Sequence, residues 1–134
     1  MERILEIKEI EDDTISGFVI TTNTQDINGF VITTDTQDIK LYIDNDQQCC
    51  ENWGYLMSQD DFKEFIGAEV LDIKVVNTAL STVEVPEMYE GDMMFINIET
   101  SEGTLQFTAY NEHNGYYSHS AGVISKQLTV REYL

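Results

Sequence analysis

The sequence predicts an α+β domain, a mainly antiparallel twisted sheet with one short helix packed on it. Three observations predict it. Several segments alternate apolar and polar residues at the two-residue period of a half-buried strand. One segment alone carries helix start and stop signals. The strand-like segments are separated by turn-forming residues rather than by further helices.

Taken in chain order, Leu5 and Ile7 suggest a first strand, although Ile4, Ile7 and Ile10 also have the spacing of a short helix. Residues 17–28, Gly-Phe-Val-Ile-Thr-Thr-Asn-Thr-Gln-Asp-Ile-Asn, are followed by a near copy at 29–40, with ten of the twelve positions identical. A tandem duplication is the simplest cause. Phe, Val, Ile and Thr favour strands, and the Asn/Asp-Thr-Gln-Asp stretches are turn-like. The duplicated segment at 17–40 therefore reads as an extended edge hairpin, with a new binding surface as the sharper alternative. Two copies are too few for a solenoid. Ile39, Leu41 and Ile43 then alternate with Lys40 and Tyr42 as a half-buried strand.

The helix is expected after Ser58-Gln59-Asp60-Asp61. Ser58 suits the cap, Asp61 the capping-box position, and both acids suit the helix dipole. Phe62, Phe65 and Ile66 form one apolar face, and Gly67 is a natural stop. Strands resume with Leu71, Ile73 and Val75, with Met94, Ile96 and Ile98, and with Leu105, Phe107 and Ala109; Ser101-Glu102-Gly103 makes a hairpin turn between the last two. Residues 78–92 hold the one proline, Pro86, and read as a long acidic loop.

Charge bounds the function. Twenty-five Asp and Glu face seven Lys and Arg, a net of -18 over 134 residues, while 42% of residues are apolar. This is a folded domain with an acidic surface, expected as a single unit over 1–134, because a disordered acidic segment lacks the apolar residues that offset chain entropy. Such a surface repels nucleic acid and attracts basic protein surfaces. No stretch has the length and apolarity of a membrane span. Acids stand where a signal peptide has its apolar run, so the expected location is the cytosol. Cys49 and Cys50 are adjacent, which makes a disulfide between them strained and leaves reduced thiols or metal ligands.

Two segments stand out: Gln47-Gln48-Cys49-Cys50-Glu51-Asn52-Trp53, and Tyr110-Asn111-Glu112-His113-Asn114-Gly115-Tyr116-Tyr117-Ser118-His119. With Phe65-Ile66-Gly67 between them, the chain from about Gly29 to Val123 resembles a family of small phage and bacterial domains of unknown function. The resemblance extends to type II-A anti-CRISPR proteins that inhibit Cas9, one of them regarded as a metalloprotein. It implies a His just before Cys49, where this chain has Asp44-Asn45-Asp46.

Cys49, Cys50, His113 and His119 are the candidate metal ligands, for a structural zinc. If Asn114-Gly115 is a hairpin turn, His119 pairs with Tyr110 and the two His lie on opposite faces; if the segment is one continuous strand, they share a face but lie roughly 20 Å apart, so either way a shared ion needs an irregular loop. The alternative is a buried thiol pair with two surface His. Trp53, Tyr110, Tyr116 and Tyr117 read as a packed sheet face rather than a base-stacking platform, since phosphate-holding cations are scarce. No catalytic signature is present, so no enzymatic activity is expected. The expected function is inhibition of type II-A Cas9, alone or with its guide RNA, by direct binding without contact to nucleic acid or membrane. Glu84, Glu87, Glu90 and Asp92 of the acidic loop are the candidate partner-binding residues. The rivals are a sponge for a nucleotide signal and a metal-dependent hydrolase.

Overall fold

A computed structural model of the chain describes residues 1–16, 24–45, 52–80, 92–112 and 119–134. They contain the strands β1 (Ile4–Ser16), β2 (Thr24–Thr34), β3 (Asp38–Asp44), β4 (Asn52–Met57), β5 (Val70–Val76), β6 (Asp92–Thr100), β7 (Gly103–Glu112), β8 (Ser120–Ile124) and β9 (Thr129–Tyr133). One sheet has the order β1-β2-β3-β8-β9 and the other β4-β7-β6-β5. Every strand pairing is antiparallel. The architecture is a β-sandwich, and it corrects the α+β expectation.

The helix expected after Ser58 is a single 3-10 turn, Lys63–Phe65. Ser58 does not cap it. Its N–H donates to the Gln106 carbonyl and its Oγ accepts from the Gln106 N–H, so Ser58 prolongs the β4–β7 ladder. Asp61 Oδ1 takes the start-signal role by accepting from the Lys63 N–H at 3.0 Å. At the far end the Gly67 N–H donates to the Ile4 carbonyl at 2.7 Å, and the Ile4 N–H donates to the Ala68 carbonyl at 2.9 Å. The chain is thus captured by strands on both sides before a second helical turn can form. Short helices gain their stability from tertiary packing, and here the packing favours the strand partners.

The core lies between the sheets. Ile39, Leu41 and Ile43 of β3 and Val123 of β8 meet Ile96 and Ile98 of β6 and Leu105 and Phe107 of β7, all fully buried. β3 lies against β7 and β8 against β6. Strand alternation puts these residues on the inner faces. A smaller cluster, Ile10, Ile27 and Tyr42 with Val31 and Ile124, covers the outer face of the five-stranded sheet. Tyr42 sits between Gly29 and Gly122 on the neighbouring strands. A Cβ on either glycine would meet a carbonyl oxygen at 1.9 Å, and Gly29 has φ +153°.

β1 resolves the helix-like spacing of Ile4, Ile7 and Ile10. Its register passes from Ile4↔Thr34 to Glu6↔Thr33, so Leu5 is the extra residue of a bulge and is 56% exposed. Ile4 and Ile7 consequently both face the main core, while Ile10 joins the outer cluster.

Among the described residues the two copies do not pair with each other. The described part of the first copy, from Thr24, runs straight into the second within β2, and β1 is the partner and sheet edge. The same residues take two structures. Thr24 and Gln25 lie in β2, paired with Ser16 and Ile15, whereas Thr36 and Gln37 form the turn between β2 and β3. Glu2 accounts for the difference. Its Oε2 accepts from Thr34 Oγ1 (2.6 Å), Gln37 Nε2 (2.7 Å) and Thr36 Oγ1 (2.9 Å), and its Oε1 from Gln127 Nε2 (3.2 Å).

Two outcomes follow from these contacts. Deleting residues 17–28 keeps the pairings from Ile4↔Thr34 to Ile10↔Gly29 and removes nothing from the main core cluster. The shortened chain is expected to unfold cooperatively in urea, destabilised by about 1–3 kcal/mol through loss of the buried Ile27; loss of a cooperative transition would contradict this. For Glu2, burial pushes the carboxyl up, but the four hydrogen bonds outweigh it and hold it below the usual carboxylate range. A depressed folded pKa stabilises above the unfolded pKa and is lost as pH falls through the folded one. The stability gap between wild type and Glu2→Gln, read from urea midpoints, should therefore be present at about pH 7 and close on acidification below about pH 4.

Candidate functional site

One pole of the sandwich gathers the chain's two unusual sequence segments. β3 ends there at Asp44, β7 ends at Glu112, and β4, β6 and β8 begin there. The register joins Asn52 to Glu112, Trp53 to Asn111, and Asp92 to Asn111. The end of the Cys-Cys-Glu segment, the start of the Asn-Gly-Tyr-Tyr-Ser segment and the end of the acidic loop are therefore neighbours. Cys49, Cys50, His113, Glu84, Glu87 and Glu90 lie outside the described residues. Asp92 is exposed at the start of β6.

His119 is fully buried, not a surface histidine. Its Nδ1 is 2.7 Å from Asp44 Oδ1 and 2.8 Å from the Asp44 carbonyl oxygen. Both neighbours are acceptors, which places a proton on Nδ1. Asp44 Oδ2 accepts from the Ser120 N–H (2.6 Å) and from Ser120 Oγ (3.2 Å). The Trp53 ring covers the imidazole, with centroids 4.8 Å apart and planes inclined by 30°. The backbone of His119 exchanges two hydrogen bonds with Leu134, whose carbonyl also accepts from Asn111 Nδ2 at 3.0 Å.

This geometry corrects three expectations. β7 and β8 belong to different sheets, so His119 pairs with Leu134 and not with Tyr110 in a hairpin about Asn114-Gly115. Among the described residues no group of three His, Cys, Asp or Glu is arranged to hold a metal ion; His119 directs Nδ1 to Asp44, and Cys49, Cys50 and His113 lie outside those residues. The aromatic residues do not form one face. Trp53 turns inward to His119, while the ring of Tyr110 fills the space above Gly54, where a Cβ would lie 2.5 Å from the phenol oxygen. Tyr116 and Tyr117 lie outside the described residues.

Ser, His and Asp together invite comparison with a nucleophilic triad. The contacts are in the wrong order for one. The carboxylate sits between imidazole and hydroxyl and accepts from both, and all three side chains are buried. The cluster is a structural clasp that ties the end of β3 to the start of β8. Sequence reasoning missed Asp44, because a carboxylate that will be buried has no local signature; its place directly after the alternating Ile39-Leu41-Ile43 strand is the nearest thing to one.

A second polar clasp holds the start of the acidic loop. Gln106 is fully buried on the outer side of β7. Its Nε2 donates to the Thr78 carbonyl (3.0 Å) and Asn97 Oδ1 (2.9 Å), and its Oε1 accepts from the Leu80 N–H (3.0 Å). The chain leaving β5 is thereby drawn back over the outer face of the four-stranded sheet.

Asp44→Ala leaves the imidazole and the Ser120 donors buried without their acceptor. The expected cost is about 3 kcal/mol in urea unfolding. A loss below about 1 kcal/mol, the worth of an ordinary hydrogen bond, would show that the clasp is not a stability element.

Searches among curated proteins and among solved structures return no significant match. Among the described residues no helix is long and apolar enough to cross a membrane. One family matches, a domain of unknown function (DUF7448), over residues 2–123. That span begins well before Gly29 and so takes in β1 and both copies of the duplicated segment. The chain belongs to the DUF7448 family of domains of unknown function.

Proposed function

We propose that this chain is a binding protein without catalytic activity, which docks an acidic surface on a basic face of a partner protein. The observation that carries the reading is where the acids lie. Among the residues whose side chains are described, Asp44 is the one buried carboxylate, and the others reach the surface. Seven Lys and Arg cannot compensate twenty-five Asp and Glu. A field of this sign accelerates encounter with basic partners and disfavours nucleic acid. The Ser120–Asp44–His119 clasp supports the non-enzymatic part, because its groups are committed to one another.

The specific partner in this reading is Cas9, drawn from the resemblance to type II-A anti-CRISPR proteins. Cas9 holds its nucleic acid in a positively charged channel, so an acidic domain seated there hinders loading of target DNA. Asp92 marks where the acidic loop returns to the sheet, beside the motif pole.

The test is a Cas9 cleavage assay at several salt concentrations, with wild type and with Glu84, Glu87, Glu90 and Asp92 reversed to lysine. Inhibition by wild type should weaken as salt rises, since the effect of rim charges is screened beyond about 8 Å at physiological ionic strength. The reversed loop should slow association more than it speeds dissociation. Inhibition absent at every salt concentration would remove Cas9 as the partner. Inhibition indifferent to both salt and loop reversal would discard the electrostatic mechanism.

A further inference from the structure

An open groove of about 330 Å³ lies where β2 faces β4, lined by Glu9, Phe30, Tyr55, Met57, Asp60 and Phe62 among others. Phe30 is at its base, 8% exposed, and Tyr55 and Phe62 are half-buried. The Tyr55 ring stands at 82° to Phe30 and the Phe62 ring at 80°, with centroids 5.8 Å and 5.9 Å away. The ring normals therefore point in different directions, so a flat group in the groove can stack on one ring while meeting the edge of another.

Two carboxylates complete the groove. Glu9 on β1 and Asp60 after β4 are both exposed, and among the described residues neither is paired with a cation. Tyr55 Oη donates to Glu9 Oε2 at 2.6 Å, which holds the carboxylate beside the rings. Burial, the hydrogen bond to Glu9 and the charges of Glu9 and Glu11 all push the Tyr55 phenol up, so it remains a neutral donor. Among the described residues no Lys or Arg lines the groove.

We propose that this groove is the anchor site for an arginine side chain of the basic partner. The inference rests on the acidic-docking reading above and supplies the chemistry of its central contact. Aromatic walls with two carboxylates at the rim, neither facing a cation among the described residues, disfavour an apolar anchor, which would leave that charge uncompensated. They suit a cation. Among cations the planar guanidinium both stacks on an aromatic ring and takes a carboxylate in a forked hydrogen bond, whereas the lysine ammonium is a more strongly hydrated point charge. The volume is at the low end for ligand pockets and accommodates one long side chain. Arginine and aromatic groups are also the usual centre of a protein interface.

The experiment measures binding of the full chain to two peptides, one alternating glycine with arginine and one alternating glycine with lysine, by calorimetry at low and at physiological salt. Both should bind at low salt. The arginine peptide should bind about three- to five-fold tighter and keep that advantage as salt rises. Glu9→Gln and Phe62→Ala should each abolish the preference while leaving the salt-dependent binding common to both peptides. Should Phe62→Ala fail to fold, Glu9→Gln, a change at an exposed position, decides the matter. Equal affinity for the two peptides, or a preference that survives both substitutions, overturns the groove and leaves acidic docking standing. Binding of neither peptide at low salt overturns both.

Discussion

The structure depends on one constraint: two antiparallel sheets must bury their inner faces against each other along the whole length of β3, β8, β6 and β7. Each fully buried aliphatic or aromatic side chain there contributes about 1.5–3 kcal/mol by leaving water. That apolar contact fixes which face of every strand points inward, and a slip of one residue in any central strand would turn its apolar set outward. Leu41 and Ile43 face inward while Tyr42 between them faces outward, and Phe107 faces inward while Gln106 and Thr108 face outward. Once those faces are set, the polar clasps have no freedom of placement. Asp44 must emerge at the end of β3 beside the start of β8, and Gln106 must point to the outer side of β7.

The same packing decides what is available for function. The central strands end at one pole, so segments distant in sequence meet there, and the buried groups of Asp44, His119 and Ser120 bond to one another. The sandwich edge is different. Where β2 faces β4, sheet-on-sheet packing is incomplete, and three aromatic rings are only partly enclosed. Nearby acids on β1 and after β4 stay in water. At that edge aromatic rings and acidic charge coincide.

The duplicated segment illustrates how little a short string decides alone. Thr-Gln-Asp lies in a strand in the first copy, while its Thr and Gln lie in a turn in the second. Within the twelve residues the copies differ only at Asn23/Asp35 and Asn28/Lys40, and Asp35 Oδ1 accepts from the Arg3 N–H at the turn. What differs further is the company: the Glu2 carboxylate collects Thr34, Thr36 and Gln37, while Thr24 and Gln25 meet the backbone of β1. Hydrogen-bond partners supplied from afar select between turn and strand, because both conformations satisfy the backbone equally well.

The sequence by itself determined the strands around Ile39–Ile43, Ile73–Val75, Met94–Ile98 and Leu105–Ala109, the turn at Ser101-Glu102-Gly103, the acidic surface and the two segments that meet at the pole. These are legible because alternation, turn chemistry and net charge are local or additive properties. It overstated the helix after Ser58, whose capping signals and apolar spacing are real but are outweighed by backbone bonds to Ile4 and Gln106. It left open whether the segment from Tyr110 to His119 turns as a hairpin or runs on as one strand, since adjacency in sequence does not say which strand a segment will pair with. Only the tertiary structure decided that β7 and β8 lie in separate sheets, that His119 is buried on Asp44, and that Phe30, Tyr55 and Phe62 enclose a groove with Glu9. Each of those depends on contacts between residues far apart in the chain, and no spacing in the sequence encodes which sheet a strand will join.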